Sequence, residues 1–70
     1  MPLTEVNLNK TYRVDKIDVD HDDVRNFLFS LGCYPGEEIT IISKLASNYI
    51  INVKDARYSI DKELAKAIHV

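Results

Sequence analysis

Between Ile39 and Ile60 the chain passes through three strand-like stretches, the first two rich in β-branched residues, with only a few residues between them, and this pattern decides the fold class. Residues 37–44 place Ile39 and Ile41 on one face, residues 49–54 keep Tyr49, Ile51 and Val53 in step, and residues 57–60 begin a further run. Alternation with a period of two is what a strand shows when one face is buried. Branched and aromatic side chains suit that pleated surface. The connections are turn chemistry: Ala46-Ser47-Asn48 joins the first pair and Asp55-Ala56 the second.

The first half of the chain supplies the other elements. Residues 10–17 alternate up to Val14 and then slip by one to Ile17, the signature of a bulged strand. After an acidic stretch, Val24, Phe27, Leu28 and Leu31 recur at i, i+3, i+4 and i+7, which predicts a helix with one apolar face. Asp22 or Asp23 can cap it, since a short carboxylate accepts from the free N–H groups of the first turn. Gly32 can end it in the left-handed conformation, and Tyr34-Pro35-Gly36 turns the chain into the next strand. At the other end, Asp61 is placed to cap a short helix over 62–67, and residues 68–70 return as a last strand. About five short strands with turns roughly every 8 to 12 residues predict a small barrel, because closure removes exposed edges. One helix, between the first and second strands, would plug an end, and the short second helix precedes the last strand.

Seventy residues support one core and therefore a single domain spanning 1–70. Cys33 stands alone, so no internal disulfide can form, as in chains from a reducing compartment. The opening residues lack a basic and then apolar leader, and no run approaches the roughly 20 apolar residues that span a bilayer; a soluble cytoplasmic protein without direct membrane insertion is expected. Nine Lys plus Arg stand against eleven Asp plus Glu with no basic block, which disfavours nucleic acid.

The order of elements and the residues at their joints resemble the FeoA family, short proteins with an SH3-like barrel. The likeness rests on Pro2-Leu3-Thr4-Glu5 at the opening, on Tyr12-Arg13-Val14 with Ile17, on Leu28-x-x-Leu31-Gly32-x-x-Pro35-Gly36, and on Ala65, Ile68 and Val70 near the end. Two places depart from it. Leu8-Asn9 stands where the family has a Pro-Gly turn, and the polar residues 45–48 replace a loop bearing Gly and Pro. The resemblance implies a small accessory or regulatory protein of a ferrous iron uptake system, with the FeoB-type membrane transporter as its protein partner. A related possibility is a stand-alone version of the SH3-like domain of metal-responsive repressors. Small barrels also pair through strand edges, so a homo-oligomer is compatible with the fold.

Candidate sites follow from the residues. Exposed aromatic side chains bury much area for little entropy, which nominates Phe29, off the apolar face of the helix, and Tyr34, Tyr49 and Tyr58 for partner binding. The same tyrosines can instead complete a small core. Asp18, Asp20, Asp22 and Asp23 with His21 place four carboxylates and an imidazole within six residues, and such donors suit Fe(II). Asp18, Asp20, His21 and Asp22 are thus weak metal candidates. An EF-hand is excluded, because counting from Asp18 the sixth position is Asp23 in place of Gly and the twelfth is Phe29 in place of Glu. The simpler reading is a solvated loop leading into a helix. Cys33 reads as a buried small hydrophobe and His69 as an outward-facing polar residue. Gly32 and Gly36 are the only glycines and precede no Lys-Ser or Lys-Thr pair, so a phosphate-binding loop is absent. No pairing of groups points to an enzyme, and no cofactor is required.

Overall fold

The computed structural model describes residues 1–70. A 3-10 turn, Leu3–Glu5, leads to β1 (Thr11–Arg13), β2 (Lys16–Ile17), α1 (Asp22–Leu31), β3 (Glu38–Leu45), β4 (Asn48–Val53), β5 (Ala56–Asp61), α2 (Lys62–Ala67) and β6 (Ile68–His69). The chain is mainly β with two short helices, neither long and apolar enough to cross a membrane.

The strands form two antiparallel sheets, one ordered β1-β3-β4-β5 and the other β2-β6. This corrects the closed barrel expected from the sequence. It also corrects the single bulged strand over 10–17, which is two strands in different sheets. The N–H of Val14 donates to the Glu37 carbonyl at 2.8 Å, whereas the next N–H, that of Asp15, donates to the His69 carbonyl at 2.7 Å. The chain changes sheets at that peptide, and the slip in alternation marks the change. A bulge does occur elsewhere, at Ile42, where the β3–β4 register shifts between Ile41 and Ser43. With 10–17 divided, α1 lies between β2 and β3, not between the first two strands.

The alternation of the middle strands is realised. Ile39, Ile41, Tyr49, Ile51, Val53 and Ile60 all point into one core, joined by Leu3, Val14, Leu28, Cys33, Ala65 and Ile68. Each large aliphatic side chain so buried contributes about 1.5–3 kcal/mol. The β4–β5 connection is the two-residue turn Lys54-Asp55, one residue earlier than expected, with φ of 51° and 65°. Two successive left-handed residues are what a type I′ turn needs, and its twist matches that of the flanking strands.

The two helices are held differently. At α2, Asp61 accepts from the Leu64 N–H at 2.9 Å, as a capping carboxylate should. At α1 the expected cap is not Asp22 or Asp23: His21 occupies the N-cap without a side-chain bond, and both aspartates sit in the first turn, where they favour the helix dipole. Gly32 ends α1 at φ 99°, as predicted. Only Leu28 of α1 is fully buried, with Val24 and Leu31 half-buried. Phe27, expected on the inward face, is 49% exposed. The buried stripe is therefore i, i+4, i+7, and Phe27 falls at its margin.

Candidate docking surface and acidic groove

Two surfaces gather chemistry-bearing side chains. The first is built by the exit from α1. Gly32 and Gly36, at φ 99° and 97°, fold the chain back so that Tyr34 returns to the last turn of the helix. There its ring meets Phe29 edge-on, with centroids 6.2 Å apart and planes at 89°. This T-shaped arrangement sets the positive edge of one ring against the negative face of the other. Lys54, in the β4–β5 turn, places its ammonium 4.9 Å from the Tyr34 ring centroid, donates to the Tyr34 hydroxyl and lies 3.5 Å from Glu37. The Tyr34 hydrogen bond, with Glu37 adding its charge, holds the Lys54 pKa above its usual value. Arg13 donates to the Gly36 carbonyl at 2.7 Å and fixes the turn from the other side. Phe29 remains 38% exposed at the rim of this corner.

Of the four aromatic candidates, the structure brings together Phe29 and Tyr34. Tyr58 is half-buried on β5, and Tyr49 is 2% exposed within the core, so as placed its ring offers a partner no surface. The part played by Lys54 left no mark in the sequence, since a lysine in a turn is ordinarily solvated.

The second surface is a groove of about 380 Å³ between the loop after β2 and the start of α2. Its lining includes Asp18, Asp20, His21, Asp61, Glu63 and Leu64. Residues forty positions apart meet here because β2 pairs with β6, Ile17 opposite Ile68. The loop leaving β2 thus runs beside the helix entering β6, and the Asp18 N–H bonds the Ala67 carbonyl at 2.7 Å. Asp61 and Glu63 were missed as partners of the acidic loop; the signal was present only in the strand pairing.

Of the metal candidates, Asp18, Asp20 and His21 line this groove, whereas Asp22 turns away to accept from Arg25 at 2.9 Å. No group of three or more His, Cys, Asp or Glu side chains is arranged to hold an ion. His69, expected to face outward, is partly buried, with Nε2 3.7 Å from an Asp18 carboxylate oxygen. Cys33 is fully buried, and burial pushes its pKa up to about 11, so the thiol stays protonated and poorly nucleophilic.

None of the curated proteins matches the chain. Among solved structures, an iron uptake regulatory protein, FeoA, is 29% identical and superposes with a TM-score of 0.86, over 97% of this chain and 91% of that one. The zinc-complexed FeoA of Stenotrophomonas maltophilia, an SH3 domain protein, is 25% identical with a TM-score of 0.88, over 100% of this chain and 88% of its own. IdeR of T. acidophilum is 28% identical with a TM-score of 0.85; the chain covers 32% of that protein. The SH3-like fold therefore recurs both in proteins of similar length and as one part of a longer one. The FeoA domain pattern matches residues 1–70 from end to end, and the chain belongs to the FeoA domain family.

Proposed function

We propose that this protein is an accessory component of a ferrous iron uptake system that acts by docking on an FeoB-type transporter, with the corner formed by Phe29 and Tyr34 as its contact. The observation that carries the reading is the edge-on packing of an exposed Phe29 ring against Tyr34, which Lys54 hydrogen-bonds. Aromatic anchors of this kind give interfaces most of their affinity. Family membership supplies the iron-transport context, and the relative from S. maltophilia has been put forward as a ferrous iron transport activating factor. Docking on the inner side of a transporter would place the protein in the cytoplasm. Tyr58 belongs to the contact only if the partner reaches β5. The role needs no catalysis, in keeping with a single buried, protonated thiol.

The test is an anaerobic pull-down against the G domain and the full-length form of an FeoB transporter, with and without Fe(II) and guanine nucleotide. Capture that is lost in Phe29→Asp supports the assignment. Absence of capture in every condition refutes it.

A second reading, divalent-metal binding, is favoured by the zinc complex of the S. maltophilia relative. Here Asp18, Asp20 and His21 would provide it only as weak association, since they form no three-ligand arrangement and Lys66 shares the groove. Anaerobic calorimetry with Fe(II) separates the two: a single saturable site lost in His21→Ala would establish metal handling.

A further inference from the structure

The four-stranded sheet ends at β5, whose outer edge pairs with no strand of this chain. The Lys54-Asp55 turn decides which backbone groups face that edge. In a two-residue hairpin the residues flanking the turn, here Val53 and Ala56, exchange both hydrogen bonds, and bonded and non-bonded pairs then alternate. Tyr58 and Ile60 consequently direct their N–H and C=O groups toward β4. Arg57 and Ser59 direct theirs away from it, as does the N–H of Asp61, whose carbonyl turns into the first turn of α2. The side chains of these same three residues are exposed, while Ile60 is buried and Tyr58 half-buried.

Natural edge strands are usually blunted by brevity, proline, charged side chains (lysine above all), a bulge or an inward charge. β1, at the opposite edge, has three residues. β5 has six in unbroken register with β4 and no proline, lysine or bulge; its exposed charges, Arg57 and Asp61, are of opposite sign and so do not repel a second copy of the same strand.

The sequence Arg57-Tyr58-Ser59-Ile60-Asp61 is also complementary to itself. Antiparallel alignment with Ser59 on the twofold axis sets Arg57 opposite Asp61 of the second copy, twice, with Ser59 opposite its own counterpart. Every residue whose backbone faces outward then meets another such residue, so bonding pattern and charge pattern select the same register. Arg57 has no ion pair within its own chain. Asp61 uses one carboxylate oxygen, Oδ1, to cap α2 and leaves the other for Arg57 of the second copy.

We propose that β5 pairs antiparallel with β5 of a second copy, Arg57 against Asp61, to join the two four-stranded sheets across a twofold axis. The contact is small, so the dimer is dynamic and forms with concentration. It uses a different edge from the Phe29–Tyr34 corner and stands or falls independently of transporter docking.

Sedimentation and amide NMR on a dilution series starting at about 1 mM test the proposal. A dimer should appear at the top of the series, with the amides of Arg57, Ser59 and Asp61 shifting and gaining protection from exchange while those of β1 do not move. Arg57→Glu sets like charges opposite each other and should weaken the dimer by about tenfold or more, with an unchanged thermal unfolding curve. Ser59→Pro removes an N–H that β4 does not accept and should abolish pairing. A monomer at every concentration overturns the proposal, as does a dimer in which the β5 edge amides stay unshifted and Arg57→Glu has no effect.

Discussion

Gly32, at the end of α1, approaches Val53 on β4 so closely that a β carbon on the glycine would stand 3.1 Å from Val53 Cγ1. Gly32 therefore serves two ends, allowing φ 99° and letting the helix exit lie against the sheet. Gly36 shares the positive φ, at 97°, but a β carbon there would meet nothing within 4 Å. Gly36→Ala should then cost the left-handed strain alone, about 1–2 kcal/mol. Gly32→Ala should cost more, because Val53 must also move. Urea unfolding of the two variants checks the order; equal losses would mean that the Val53 contact relaxes freely.

Cys33 gives the fold a dependence on alkaline pH. Its thiol ionises near the ordinary 9.0 when the chain is unfolded, and burial raises that to about 11 in the folded state. Between these values the unfolded chain loses a proton that the folded one keeps. The contribution is therefore complete below pH 9 and declines as pH rises toward 11, by up to about 1.4 kcal/mol per pH unit. Cys33→Ala should remove that slope from the stability profile while lowering stability at neutral pH, since it leaves a small void. In the native protein the thiol should react with Ellman's reagent only as fast as the protein opens.

The strands were legible where one face is buried and the other wet, as with Ile39 and Ile41 or Tyr49, Ile51 and Val53, because burial writes its period into the side chains. The region around Val14 was half legible. The slip from Val14 to Ile17 is plain in the residues, but a bulge and a change of sheet produce the same slip, and only the partners of the Val14 and Asp15 amides distinguish them. Phe27 misled because periodicity gives the direction of a helical face but not its width, and α1 buries only a narrow stripe. For the candidate surfaces, Phe29 could be picked out by its place off that stripe. The Lys54 contact to Tyr34 and the meeting of Asp18 with Asp61 depend on a turn and a strand pairing that link distant residues, so no local pattern announces them.

The hairpin turns are not made from the residues their geometry favours. Ala46 sits at φ 53° and Asp55 at φ 65°, where a β carbon costs about 1–2 kcal/mol, somewhat less for Asp, a residue type that visits this region more readily. Ala46→Gly should therefore stabilise the protein by about 1 kcal/mol, net of the extra entropy glycine brings to the unfolded chain. Asp55→Gly should add a smaller gain. Thermal unfolding of each, and of the pair, measures this; the turns share no partners, so the two gains should add.

The neighbours Phe27, Leu28 and Phe29 separate folding from docking within three residues of one helix. Leu28 is wholly enclosed and is the one fully buried side chain of α1, so Leu28→Ala should cost about 2–5 kcal/mol and loosen the helix from the sheet. Phe27 is half in solvent, and Phe27→Ala should change stability by much less. Phe29→Ala removes an edge-to-face partner of Tyr34, a loss of about 0.5–1.5 kcal/mol beyond the area it exposes. A double-mutant cycle of Phe29→Ala with Tyr34→Leu should return a coupling of that size in stability. Measured alongside transporter binding, the same set of variants assigns the corner its role. Docking lost with Phe29→Ala but kept with Phe27→Ala places the contact on the Tyr34 side of α1, and the reverse moves it to the other flank.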